Sequence, residues 1–412
     1  MKTRLFLILI FLTGFFSFSS GQDFWEQLDI PDSVELNDFT IDQNSIVFLG
    51  TNKGIYKTED DGENWLFCNF NNSSTDLSVS ISNTIYVIGI ETPNAALYLS
   101  EDTGNTWQMI NPGHLPVVRL ITFSDSLIFY TTGGSIYKSI DRGYTWENVF
   151  TSTGLEIFYD IIQKDGLLFG GAIDFILNDL GGVYQSNNQG DSWEQNGLIG
   201  YGISSLALDI NDNLLAGSRL NYFGVYQSDD NGLSWNNLLA EHIITSIAVD
   251  SYGGIYAGCD SDFGPEGVQF SNDNGISWIP LNSGLHNNAS ILKLIICPNN
   301  YIYASTTNPD YLYRSMNPIV KIDESSTDQF SFALYPNPAK DILNIEISNQ
   351  KSVISTTDFH IINLFGQRIY NYTCRLHFNN RIELNIEYLK PGVYVIIFPT
   401  HSNIENHLFV KE

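Results

Sequence analysis

Paired carboxylates are the first chemistry this chain offers. Residues Gln22 to Gln329 hold 39 Asp and Glu against 10 Lys and Arg, a net charge of −29. Two carboxylates at a suitable separation can cleave a glycosidic bond by general acid and base catalysis. The fold sets that separation, so abundance alone selects no pair. The histidines His114, His242, His286, His360, His377, His401 and His407 show neither a Ser-His-Asp signature nor metal-ligand spacing. Cys68, Cys259, Cys297 and Cys374 form no CxxC pair. Nothing in the sequence calls for a metal or a cofactor. A Cys259–Cys297 bridge is open in an exported chain, beside the reading of buried thiols acting as small apolar groups. Clustered cations are missing, which argues against nucleic acid and against an anionic membrane surface as partners.

The elements that position these side chains come from a repeat. One octapeptide recurs six times, and its defining residues are Asp60, Gly62 and Trp65, then Asp102, Gly104 and Trp107. Asp141, Gly143 and Trp146 follow, then Asn188, Gly190 and Trp193, then Asp230, Gly232 and Trp235, and last Asp273, Gly275 and Trp278. Ser or Thr stands two residues before each Asp or Asn. The tryptophans are 42, 39, 47, 42 and 43 residues apart, a period that suits one four-stranded propeller blade. Each octapeptide is a turn: Asp or Asn folds onto nearby backbone amides, and Gly accepts positive φ. Trp then opens the next strand and covers the hairpin. Apolar strands bounded by Gly, Asn and Asp precede each turn, as in Ser45–Gly50 and Gly54–Tyr56. Aromatics at 13% and charged residues at only 16% agree with short strands rather than surface helices.

A seventh unit starts at Ile291 and breaks off at Met316-Asn-Pro318 without an octapeptide. Phe24-Trp25-Glu-Gln resembles Ser192-Trp193-Glu-Gln, so residues 22–28 are expected to complete that unit and close the ring. Closure removes two sheet edges. The repeats resemble the Asp-box, or BNR, propellers, a family that includes sialidases, some endoglucanases, sortilin-type receptors and photosystem assembly factors. The resemblance implies an all-β, seven-bladed Asp-box β-propeller over residues 22–320. It also implies that the boxes lie at the periphery, away from any ligand.

The two ends of the chain concern export. Lys2 and Arg4 precede an apolar run from Leu5 to Phe18, and small residues Ser19 and Gly21 follow. Residues 1–21 therefore read as a signal peptide, with no membrane insertion of the mature chain. Residues 321–329 read as a polar linker. Residues 330–412 carry 7 acids and 7 bases, a balance that marks a separate unit. Tyr335-Pro-Asn-Pro338, the Gly366-Gln367 turn, Pro391-Gly-Val-Tyr394 and a short terminal strand resemble the type A C-terminal sorting domain of the type IX secretion system of Bacteroidetes. That resemblance implies a small immunoglobulin-like β-sandwich, handling by the type IX machinery, and secretion or outer-surface display through the periplasm.

A sialidase would need several convergent arginines. The repeat region has Arg119, Arg142, Arg219 and Arg314. Arg142 lies inside a box, and Arg314 precedes the degenerate seventh one, which leaves two. No catalytic residue is assigned. The loops opposite the boxes are longest in the fourth to sixth units. They bring Asp174, Phe175, Arg219, Tyr222, Phe223, Asp260, Asp262 and Phe263 forward as ligand-binding candidates. Aromatic faces beside carboxylates suit a sugar ring or a basic peptide. The expected function is a secreted, non-catalytic propeller that binds a glycan or an extracellular protein. The alternative is a sialidase-like or endoglucanase-like glycoside hydrolase on the same fold.

Overall fold

The computed structural model describes residues 23–411 apart from 32, 92–93, 112–116, 153, 177–180, 261–266, 308, 320–330, 349–354, 364–367, 377–379 and 400–403. The expected signal segment and linker fall outside the described residues, as do His114, Asp262, Phe263, Gly366 and Gln367. Among the described residues all regular structure is β-strand. The chain divides into two compact units, one of them Asp23–Val320 and the other holding Lys321–Glu412.

The first unit forms seven four-stranded antiparallel sheets among its described residues. Six are simple meanders, opened by Leu36–Ile41, Ser73–Val79, Arg119–Ser124, Glu156–Lys164, Gly202–Leu208 and Ile244–Val249. They are numbered sheets 1 to 6 here. Sheet 7 joins Ser290–Ile296, Ile302–Thr307 and Leu312–Ser315 to Trp25–Gln27, which pairs with Trp25 opposite Ser315. Second strands such as Val47–Thr51 and Ile255–Cys259 are buried throughout, because a neighbouring sheet covers each face. The apolar clusters accordingly lie between sheets. One joins Phe39, Val47 and Leu49 of sheet 1 to Tyr303 and Leu312 of sheet 7, so the seam between the chain's ends is a packed core.

The boxes show why their residue types recur. In all six, the Ser or Thr hydroxyl accepts from the Gly N–H at 2.8–2.9 Å. The same hydroxyl donates to the Asp or Asn oxygen at 2.7–2.9 Å. That oxygen also accepts the N–H four residues on at 2.8–3.1 Å. The Ser234 and Ser277 hydroxyls donate to the other carboxylate oxygen at 2.6 and 2.5 Å, and they foremost, with the bonds above, pull Asp230 and Asp273 down to about 2. The box Gly has φ of 81–100°, and the residue before it is left-handed too, at 56–68°. A side chain on Gly190 would strike Phe129 of the preceding sheet at 2.5 Å, so Gly also permits close sheet-to-sheet approach.

A second Asp turn, absent from the sequence expectations, closes the first hairpin of sheets 1, 5 and 6. Asp42, Asp209 and Asp250 each accept two backbone N–H groups, two and four residues on, at 2.8–2.9 Å. Part of the domain's acidity is thus turn chemistry. Cys68, Cys259 and Cys297 are buried free thiols, and burial pushes Cys68 and Cys259 up to about 12. The Cys259–Cys297 bridge is not formed.

The second unit has a three-stranded sheet, with Ile342–Ser348 between Ser331–Tyr335 and Asn380–Asn385. Its four-stranded sheet runs Arg368–Leu376, Ser355–Asn363, Gly392–Pro399, Ile404–Lys411. Leu343, Ile345, Ile361, Ile396 and Phe409 share one core. The described signature segments, Tyr335–Pro338 and Pro391–Tyr394, each meet the terminal strand. The Asn337 side chain accepts the Val410 N–H at 2.9 Å, and Tyr394 stacks on Phe409 at 5.6 Å.

Candidate functional site

In a four-stranded meander the first and third turns share one end, and the second turn shares the other with the connection to the next sheet. The boxes are third turns. The opposite end therefore holds the loops singled out from sequence.

At that end of sheet 4, Asp174 closes the strand Leu167–Asp174 and is 1% exposed. One of its oxygens accepts the Ile176 N–H at 2.9 Å. Directly across the ladder stands Glu156, itself 3% exposed. The Tyr184 hydroxyl reaches one Glu156 oxygen at 3.4 Å, and the other oxygen has no partner among the described residues. Burial foremost, then the Glu156 carboxyl and the Asp174 charge, raises the Tyr184 phenol far above its usual range. Phe175 and Ile176 project into solvent just beyond, and Phe175 meets the Tyr159 ring at 6.3 Å.

Sheet 5 continues this face. The Gly200 N–H donates to the Gly181 carbonyl of sheet 4's loop, and the Asn221 side chain donates to the Gly200 carbonyl. Tyr222, exposed and left-handed at φ 43°, stacks on Tyr201 at 4.6 Å. Phe223 is half-buried. Arg219 reaches Asp260 of sheet 6 at 3.4 Å, and Asp260 also accepts the Ser290 hydroxyl at 2.8 Å. Of the described candidates, Arg219 and Asp260 are brought into contact. Asp174 takes Glu156 as its neighbour, a residue the sequence reading passed over.

Seven equivalent side chains on the first strands were also missed. They are Asp38, Asp76, Arg119, Asp160, Ser205, Ser246 and Lys293, one per sheet. In every sheet but the third, a β-bulge immediately precedes this residue. Asp38 accepts the Leu77 N–H, Asp76 the Leu120 N–H, and Asp160 the Leu206 N–H. Ser205 and Ser246 do the same for Ile247 and Leu294. Lys293 crosses the seam, giving 2.8 Å bonds to Asp38 and to the Phe39 carbonyl. Arg119 pairs with Asp76 at 3.3 Å and lies over the Tyr159 ring at 5.7 Å. Burial foremost, with the Asp38 charge beside it, pushes Asp76 up to about 7. Burial alone pushes Asp160 up to about 6, against its backbone bond. A hydroxyl performs the same backbone contact in sheets 5 and 6, so the row is first of all a device that ties each sheet to the next. The signal was a polar residue in register before the apolar residue of each first strand, as in Asp38-Phe39 and Ser246-Ile247.

The remaining arginines have fixed partners. Arg142 pairs with Glu101 on the box end, and Arg314 bridges Glu26 and the Asp61 carbonyl across the seam. Among the described residues no group of three or more His, Cys, Asp or Glu could hold a metal ion.

The model of the Photosynthesis system II assembly factor YCF48 family matches residues 19–227, and that of the Secretion system C-terminal sorting domain matches residues 333–412. No curated protein matches the sequence. Among solved structures, YCF48 bound to D1 peptide superposes with a TM-score of 0.55 at 14% identity, covering 72% of this chain and 98% of that one. PorZ, a surface component of the type IX secretion system of Porphyromonas gingivalis, gives 0.53 at 14%, covering 93% of this chain and 60% of its own. The GH74 xyloglucanase of Xanthomonas campestris gives 0.55 at 13%, covering 79% and 59%. The chain thus spans about three fifths of the latter two. Likeness at this identity establishes an all-β propeller fold and no activity.

Proposed function

The chain belongs to the Photosynthesis system II assembly factor YCF48 family and carries a Secretion system C-terminal sorting domain, and on that premise we propose a secreted or cell-surface, non-catalytic propeller that binds an extracellular glycan or protein. In this reading residues 1–21 are a cleaved signal and the seven sheets are seven blades, closed by residues 22–28. Residues 321–329 link them to an immunoglobulin-like sandwich, handled by the type IX machinery after passage through the periplasm.

One observation carries the proposal. The end opposite the boxes presents exposed Phe175 and Tyr222 and the Arg219–Asp260 pair, whereas the carboxylates of the first-strand row are engaged by backbone N–H groups. Aromatic faces with a few polar groups bind without performing chemistry. The ligand site comprises Asp174, Phe175, Arg219, Tyr222, Phe223 and Asp260 in this reading, and Asp262 and Phe263, which lie outside the described residues, belong to it on the sequence reading alone. Tyr222→Ala is expected to lower affinity at least tenfold while leaving folding intact, since the ring is 66% exposed. Unchanged affinity for every captured ligand would remove Tyr222 from the site. Deleting Phe330–Glu412 should retain the protein inside the cell; unchanged export would contradict the sorting role.

The likeness to a GH74 enzyme, together with the raised Asp76 and Asp160, supports a second reading, glycoside hydrolysis. Release of reducing ends from a bound glycan, abolished by Asp160→Asn, would favour it over binding alone.

A further inference from the structure

The end opposite the boxes carries a ridge of exposed apolar side chains that the sequence candidates cover only in part. Leu155, Phe175 and Ile176 of sheet 4, Ile199 of the connection to sheet 5 and Tyr222 of sheet 5 are 46–66% exposed. Leu155 and Phe175 stand one residue beyond the Glu156–Asp174 pair, on neighbouring strand ends. Ile199 adjoins Gly200, whose N–H binds the sheet 4 loop at Gly181 and whose carbonyl accepts the side chain of Asn221, next to Tyr222. The five side chains therefore belong to one stretch of surface across two sheets. Tyr222 is fixed in place on it. Asn221 and Tyr222 are both left-handed, at φ 54° and 43°, a conformation that bulky side chains rarely adopt. The Ser218 hydroxyl donates to the Asn221 carbonyl at 2.9 Å, and the Tyr226 hydroxyl to the Tyr222 carbonyl at 2.8 Å. Strain of this kind persists only where neighbours hold it.

The make-up of the ridge selects its occupant. A sugar ring packs on flat aromatic faces, but Leu155, Ile176 and Ile199 are aliphatic. Exposed aliphatic surface suits another protein or a membrane. An anionic lipid surface and a second copy of this chain would both face 39 acids against 10 bases in residues 22–329, so repulsion disfavours each. The same charge favours a basic partner.

One carboxylate stands where a basic side chain would meet it. In the first-strand row Asp38 has Lys293 and Asp76 has Arg119, whereas no ion pair among the described residues involves Asp160. Asp160 is half-buried, so solvent reaches it. Tyr159, the residue before it, ties the row to the ridge: its ring meets Phe175 at 6.3 Å and the Arg119 guanidinium at 5.7 Å. Burial outweighs the Arg119 and Lys293 charges and holds Asp160 up at about 6, so an arriving cation would stabilise its charged form. We propose that the ridge from Leu155 to Tyr222 docks a segment of a partner protein that covers it with apolar side chains and brings a Lys or Arg to Asp160. The proposal rests on the ligand-binding reading above and selects protein over glycan as the ligand class.

The test presents the full-length mature protein with an array of short synthetic peptides, in which apolar content and the sign of charge vary independently, and with a glycan array. Titration calorimetry follows on the hits. Peptides holding a Lys or Arg among apolar residues should bind, and the same peptides with Glu in its place should not. Ile176→Ser combined with Ile199→Ser changes two exposed side chains and should weaken binding at least tenfold. Asp160→Asn should weaken the basic peptides about fivefold or more and leave counterparts with Met in place of Lys unchanged. Thermal melting checks that each variant is folded. Peptide binding indifferent to the sign of charge, to the two isoleucines or to Asp160 overturns the proposal. Glycan hits that depend on Tyr222 but not on Ile176 or Ile199 overturn it while the ligand-binding reading stands. Dimers in sedimentation that Ile199→Ser dissociates would put a second copy on the ridge and overturn it as well. No ligand of any kind would overturn both.

Discussion

Trp25 should be the residue whose loss opens the ring. It is 1% exposed, and its indole N–H donates to the Leu281 carbonyl at 2.6 Å. Trp107 makes the same kind of bond to Cys68, and Trp278 to Leu238, each on the outer edge of the preceding sheet. Trp25 therefore does the work of a box tryptophan although it has no box, from the far end of the chain. A buried tryptophan removes roughly 200 Å² from water, worth about 5 kcal/mol at ~25 cal/mol per Å². Trp25→Ala is expected to cost about 3–5 kcal/mol. Trp25→Phe keeps most of the packing and forfeits one buried hydrogen bond, about 1–2 kcal/mol. Urea denaturation followed by far-ultraviolet circular dichroism gives the ordering. Hydrogen exchange gives the location: protection should drop first at Trp25, Leu28 and Met316, whose N–H groups bond to Ser283, Leu312 and Phe24 across the seam. A loss below 1 kcal/mol for Trp25→Ala, or exchange that rises evenly over all seven sheets, would refute the claim that this strand closes the structure.

The row of first-strand side chains makes stability depend on pH. Asp76 and Asp160 are raised above their unfolded values, so the native state holds more protons than the unfolded chain between about pH 4 and 7. Their contribution is fully present below the unfolded pKa and is lost as pH rises through about 6 and 7. Melting temperature should fall from pH 5.5 to pH 8, and Asp160→Asn should flatten the curve; a flat wild-type curve counts against the burial argument. Lys293→Met leaves Asp38, 5% exposed, with its ion partner gone, and should cost about 2–4 kcal/mol. Asp38→Asn in the same chain should recover at least half of that loss in a double-mutant cycle, and strict additivity would show that the seam pair is not coupled. Glu156→Gln replaces a carboxyl buried opposite Asp174 by a neutral amide and keeps an oxygen for the Tyr184 hydroxyl. It should stabilise the protein by about 1 kcal/mol in urea titrations, and destabilisation of that size would show that both Glu156 oxygens are satisfied in the native state.

The candidate site was partly legible. Arg219, Tyr222 and Asp260 could be picked out because the repeat shows where each sheet's loop begins, and a long aromatic loop stands out against short ones. Glu156 could not, since its relevance comes from the strand register that sets it opposite Asp174. His286 is one histidine of seven in the sequence, and only folding places the Tyr313 hydroxyl against its Nδ1.

By itself the sequence determined the hairpins, because a Ser, an Asp and a Gly within five residues of one another satisfy their own turn without distant help. It also determined the period, and so the number of units and the place of the tryptophans. The sorting domain was readable for the same reason: its motifs are short and local. What only the tertiary structure decided are the contacts between units: the Trp25 and Lys293 seams, and the row from Asp38 to Lys293, in which burial raises Asp76 and Asp160. Those depend on which side chains from residues forty to nearly three hundred positions apart come to share one low-dielectric space, and that information is carried by packing rather than by local pattern.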